Sequence, residues 1–89
     1  MATHESAKKR ARQSKKRAIR NRRIRSSMRS AIQEARKAIE EKNPEKAKSS
    51  LLMASKKIDK ACSAGVLHWK TASRKVSRLA KLVNTLSAS

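Results

Sequence analysis

Between residues 5 and 41 this chain has neither glycine nor proline, and over all 89 residues it has one of each, Gly65 and Pro44. A backbone so short of turn formers cannot reverse often. Its abundance of Ala, Lys, Arg, Ser and Leu favours helix. Sheet proteins need turns and β-branched or aromatic residues, yet Phe and Tyr are absent and Trp69 is the sole aromatic. The punctuation therefore predicts a small all-α chain with few breaks.

Residues 5–41 read as one helix, on the order of 55 Å long at about 1.5 Å per residue. From Ile24 onward an apolar seam runs through Met28, Ala31, Ile32, Ala35 and Ile39, in steps of three and four. Upstream, the corresponding strip holds Ala7, Ala11, Ser14, Ala18 and Asn21, too small or polar to bury a core. Asn43 before Pro44 is a start signal, with Asn as N-cap and Pro at the first helical position; Glu45 suits the helix dipole. The second helix carries Ala47, Leu51, Ala54, Ile58 and Ala61 on one stripe, and Gly65 is placed to end it in a left-handed conformation. Residues 67–87 form the third, with Ala72, Val76, Leu79, Val83 and Leu86 on its dry side. Lys70, Arg74, Arg78 and Lys81 fall opposite them at about 100° per residue. Met28, Met53 and the leucines are assigned to the core. Trp69, at the edge of the third stripe, could stack on a base, but is expected to pack its ring. Cys62 is a small core or edge residue, and His68 either caps the third helix or touches phosphate.

Short connections make neighbouring helices antiparallel. The expected fold is a single all-α domain over residues 1–89. Residues 24–87 form an antiparallel three-helix bundle, and residues 1–23 extend the first helix as a basic N-terminal arm. Its core is rich in alanine, so stability is expected at or below the low end of the usual ~5–15 kcal/mol.

Charge points to the partner. Lys and Arg number 25 against 6 Asp and Glu, a formal charge of +19 with a pI near 11.6. Such an excess repels itself in a compact state and calls for a polyanion, nucleic acid first, because phosphate contacts dominate affinity there. The lack of aromatics counts against modules that read bases on aromatic platforms, leaving phosphate and shape. Cys62 has no disulfide partner within the chain, which fits a reducing compartment. No apolar run approaches the roughly 20 residues of a membrane span, and none follows the basic N-terminus as a secretory signal would require. The Arg- and Ser-rich start superficially resembles a transit peptide, but the same helix continues into the core. A Gly-rich phosphate loop, a supporting strand and a carboxylate cluster are all missing. Glu34, Glu40, Glu41, Glu45 and Asp59 are scattered beside Lys or Arg as surface pairs. His4, Cys62 and His68 lack the number and spacing of a zinc site. No enzyme, metal, cofactor or small-molecule substrate is expected.

The arm concentrates Lys8, Lys9, Arg10, Arg12, Lys15, Lys16, Arg17, Arg20, Arg22 and Arg23 against Glu5 alone. On a helix these cover roughly two-thirds of the circumference. Resting on one duplex needs a single basic stripe; charge around most of a rod suits insertion among several phosphate backbones, as folded RNA offers. A fork of DNA grooves would accept a similar rod, so an architectural DNA-binding protein is the alternative. Against it stand a strip without the Leu and Ile of a zipper and no evident helix-turn-helix. A membrane-surface helix would need Trp, Phe or Leu opposite the charges, where the arm has Ala and Ser.

The segment Ser6-Ala7-Lys8-Lys9-Arg10-Ala11-Arg12, with Arg17, Asn21, Arg25 and Met28-Arg29, resembles the N-terminal signature of the bacterial small-subunit ribosomal protein twenty family. Gly65-Val66-Leu67-His68, then Ala72, Arg74 and Ser77-Arg78-Leu79, resembles that family's second signature. The likeness covers nearly the whole chain. It implies a three-helix bundle with a protruding first helix, no enzymatic activity, and direct binding of 16S ribosomal RNA during early assembly of the small subunit. The location it implies is the cytoplasmic ribosome, with neighbouring ribosomal proteins as further contacts. RNA-contact roles carry over to Lys8, Lys9, Arg10, Arg12, Arg17, Asn21, Arg25, Arg29, His68, Arg74, Ser77 and Arg78. Lys15, Lys16, Arg20, Arg22, Arg23, Lys70, Lys75 and Lys81 join them by charge and position. The chain departs from the family's usual pattern at Trp69-Lys70, Ser73 and Val76.

Like charges four apart, as in Lys8 with Arg12 and Lys16 with Arg20, each disfavour an isolated helix by a few tenths of a kcal/mol. The arm of the free chain is accordingly expected to be largely without fixed structure and to become helical on RNA. Circular dichroism in dilute buffer should show helix for the bundle alone, with the remainder appearing when RNA is added; full helicity from residue 5 in free protein would contradict this.

Overall fold

The computed structural model describes residues 4–88; what was expected of residues 1–3 and 89 lies outside them. Three helices follow one another: α1 His4–Glu40, α2 Pro44–Ser63 and α3 Trp69–Ala88. Ala38, Ala47 and Val83 are buried together, which brings the end of α1, the start of α2 and the end of α3 to one pole. Met28, Ile58, Ala61 and Ala72 meet towards the opposite pole. The order is thus up-down-up, with α2 antiparallel to both partners. α2 packs on α1 and on α3, which touch each other much less.

The first half of α1, expected to lack fixed structure in the chain without RNA, is helical from His4 here and projects beyond the Met28 end of the bundle. Every residue from His4 to Arg20 is exposed, and burial begins only with the half-buried Asn21 and Ile24. The molecule measures 65 × 21 × 13 Å, with a radius of gyration of 17.7 Å; a compact domain of this length would have about 12 Å.

The core is thin. Met28, Ala31, Ala35, Ala38, Ala47, Ala54, Ile58, Ala61, Ala72, Leu79 and Val83 are buried, and Ile58 is the largest side chain wholly enclosed. Alanine-lined faces let helices approach towards the close end of the usual range of about 8–10 Å, while each methyl buried contributes only on the order of 0.8 kcal/mol. The seams read from sequence hold, with Ile24, Ile32, Leu51 and Val76 half-buried against the main cluster. Ala38 is a core residue that the sequence seam omitted.

Some assignments fail. Leu52 (61%), Met53 (49%) and Leu82 (46%) are substantially exposed rather than core. Three apolar residues in a row, Leu51-Leu52-Met53, step about 100° each and cannot share one face; Leu51 takes the inward position. Trp69 is 60% exposed, so its ring is not packed in the core as expected. Its angular position lies at the edge of the stripe, but at the end of the core it flanks an open cleft beside Asp59 and Cys62 of α2. Val66 and Leu67 of the connecting loop cover that end instead. The third helix also begins two residues later than expected, because residues 66–68 form the loop and the cap.

Both reversals use the same device. After α2, Gly65 has φ 76°; its N–H donates to Cys62 O at 3.1 Å and the Val66 N–H to Ala61 O at 2.9 Å. These are the two bonds of a Schellman motif, which satisfies carbonyls left over at a helix end. After α1 the same pair recurs, Lys42 N–H to Ile39 O at 3.0 Å and Asn43 N–H to Ala38 O at 3.3 Å. Here the left-handed residue is Lys42, φ 56°, where no glycine relieves the Cβ. Asn43 then caps α2, its Oδ1 accepting from the Lys46 N–H at 3.2 Å, and an exposed Lys46–Glu41 ion pair at 3.5 Å spans the turn.

The left-handed conformation costs a residue with a Cβ about 1–2 kcal/mol, whereas glycine's looser unfolded chain costs about 0.5–1 kcal/mol. Lys42→Gly should therefore stabilise the fold by about 0.5–1 kcal/mol in urea unfolding. Lys42→Ala, which keeps the Cβ, should leave the midpoint nearly unchanged; equal gains from both would attribute the effect to the missing charge.

Candidate nucleic-acid interface

The sequence places cations around α1 at intervals of about 100°, and the structure leaves them there. Lys8, Lys9, Arg10, Arg12, Lys15, Lys16, Arg17, Arg20, Arg22 and Arg23 are all exposed, without a core to order them into one stripe. Where the arm enters the bundle, a groove along α1 is lined by Ala18, Ser26 and Ser30 together with Asn21, Arg22, Arg25 and Arg29. Small side chains between arginines let a sugar-phosphate strand approach the helix while guanidinium groups meet its oxygens.

Two further sets bring helices together. Arg20 and Arg23 of α1 share a recess with Lys60 near the end of α2. Arg36 of α1 lines a cleft with Lys75 and Arg78 of α3, floored by Ile32 and Leu79. Lys75 and Arg78 were expected as contacts; Arg36 and Lys60 were not, because on their own helices they read as ordinary solvent-facing cations. Only packing α1 on its neighbours reveals them. From Lys8 to Arg36 the helix rises roughly 40 Å, so the cationic sets are strung over far more than the width of one groove.

α3 starts at His68. The imidazole Nδ1 accepts from the Lys70 N–H at 3.2 Å, and Ala72 N–H closes the first turn on His68 O at 3.0 Å. His68 is thus the N-cap, one of its two expected roles, and its ring is exposed. Lys70, Arg74, Ser77, Arg78 and Lys81 are exposed, and Lys75 is half-buried. Cys62 is half-buried at the edge of the core. Among the described residues no helix is long and apolar enough to cross a membrane, and no three His, Cys, Asp or Glu side chains gather where they could hold a metal ion.

A family model described as ribosomal protein S20 matches residues 2–84. The chain is 55% identical over 86 residues to the small ribosomal subunit protein bS20 of Geobacter sulfurreducens, covering 97% of this chain and 99% of that one. It is 49% identical over 87 residues to bS20 of Nitratidesulfovibrio vulgaris, covering 98% and 100%, and 54% identical over 86 residues to that of Syntrophotalea carbinolica, covering 97% and 99%.

If the arm lies among phosphates, an arginine taken from it leaves fewer counterions to be released on binding. Arg12→Ala and Arg17→Ala should each weaken RNA binding and flatten its log–log salt dependence by roughly 0.7–0.9 per phosphate no longer neutralised. Filter binding across a salt series reads both quantities; an unchanged slope would place these arginines away from the backbone.

Proposed function

The chain belongs to the ribosomal protein S20 family, and from that premise we propose that it binds 16S ribosomal RNA directly and stabilises the RNA fold during assembly of the small subunit. Family membership makes it a structural component of the small subunit of the cytoplasmic ribosome, with RNA and protein neighbours, and not an enzyme. The finer claim rests on one observation: a cationic rod, exposed from His4 to Arg20, continues without a break into a helix anchored in a packed bundle.

On this reading the work is divided. Residues up to 23 thread between phosphate backbones, and their charges neutralise phosphates that would otherwise repel one another. The bundle fixes where the rod starts and in which direction it points. Arg25 and Arg29 continue the α1 contact. His68 through its Nε2, together with Lys70, Arg74, Lys75, Ser77, Arg78 and Lys81, gives the bundle its own RNA-facing surface. A protein touching RNA at sites some ~40 Å apart on a rigid helix can hold separate RNA elements at fixed spacing, which is what a stabiliser of tertiary structure needs.

Competition binding at fixed salt tests the proposal. Labelled 16S ribosomal RNA bound to the full chain should resist an excess of duplex DNA and yield to unlabelled 16S RNA. Preference for the DNA would favour an architectural DNA-binding role instead.

A further inference from the structure

Trp69 is the largest apolar side chain in the molecule, and the fold leaves it outside. Its ring stacks loosely on His68, centroids 5.7 Å apart and planes 27° from parallel, and the Lys70 ammonium lies 5.7 Å from the ring centroid. It flanks an open cleft of ≈ 410 Å³ between the second half of α2 and the first half of α3. Ala72 and Val76 supply an apolar wall; Asp59, Ser73 and Ser77 supply polar groups. Among the described residues the Asp59 carboxylate has no ion-pair partner.

These features select a chemistry. A carboxylate in the lining repels phosphate, so the cleft is unsuited to the backbone that the rest of the surface attracts. A basic peptide would be drawn to Asp59 and to the indole, but the +19 charge of the chain and the adjacent Lys70 and Arg74 oppose it. An unpaired nucleobase meets every condition. It is flat and neutral, stacks on an aromatic face, and offers amino hydrogens to a carboxylate. Stacking also outweighs an exposed cation–π contact, so an arriving base displaces the Lys70 ammonium, which is then free for the neighbouring phosphate.

We propose that the Trp69 cleft receives one unpaired base of the bound RNA, stacked on the indole with its amino edge at Asp59. The proposal rests on the RNA-binding reading above and adds a base contact to a surface otherwise built for phosphates.

Trp69 is the only tryptophan and there is no tyrosine, so intrinsic emission reports this one ring. The full chain is titrated with 16S ribosomal RNA, following emission and filter retention in parallel. Binding should quench the emission and shield it from acrylamide. Trp69→Ala should bind roughly 5- to 100-fold more weakly, with Trp69→Phe recovering much of the affinity and circular dichroism confirming that both variants fold. Asp59→Asn, which keeps the shape and removes the charge, should weaken binding several-fold despite raising the net charge. Retention at full strength with unquenched emission, or Trp69→Ala as tight as the parent, overturns the base contact and leaves RNA binding standing. Quenching by the subunit's protein fraction and not by its RNA also overturns it. Failure of the parent chain to retain RNA overturns the underlying reading instead.

Discussion

Like-charge repulsion along α1 governs this molecule. Cations surround the arm at positions one turn apart, and the core that must hold the fold against the net charge is built mostly of alanine. Burying methyl groups gives modest stabilisation, and the largest side chain wholly enclosed is Ile58. The repulsive part of α1 has accordingly no packing duty, and the apolar part has few charges facing inward. One continuous helix is divided into a segment that seeks phosphate and a segment that seeks its neighbours.

With so thin a core, the junctions carry an unusual share of the definition of the fold. Each helix-to-helix reversal is a Schellman motif, and at each the residue completing the motif also begins the next structure. Asn43 donates its N–H to Ala38 O, then caps α2 with its side chain. Val66 closes α2 on Ala61 O and, with Leu67, covers the open end of the main cluster. Satisfying the backbone and filling the core end are thereby achieved by the same few residues, which leaves no room for a loose loop that would blur the direction of the arm.

The same economy creates the chemistry at the start of α3. Because Val66 and Leu67 occupy the end of the core and His68 is held as cap, Trp69 is turned out beside a cleft containing a carboxylate. The cationic clusters arise similarly: Arg36 gains meaning only beside Lys75 and Arg78, and Lys60 only beside Arg20 and Arg23. Electrostatic fields add across helices, and a binding surface on a bundle belongs to pairs of helices more than to any one of them.

Helix number, helix limits near Asn43-Pro44 and Gly65, the apolar seams and the exposed cationic arm were all legible in the order of residues. Each depends on local rules: the turn propensity of Gly and Pro, capping by Asn, and the helical period of about 3.6 residues. Positions set by how neighbouring elements and loops pack were not legible. Trp69 has the angular position of a core residue and lies outside because Val66 and Leu67 of the loop take the end of the core, while Leu52, Met53 and Leu82 are apolar residues turned from the seams their neighbours fill. The partnership of Arg36 with α3, and of Lys60 with the arm, likewise depended on packing. Periodicity fixes which way a side chain leaves its own helix; only the tertiary structure decides whether another helix is there to meet it.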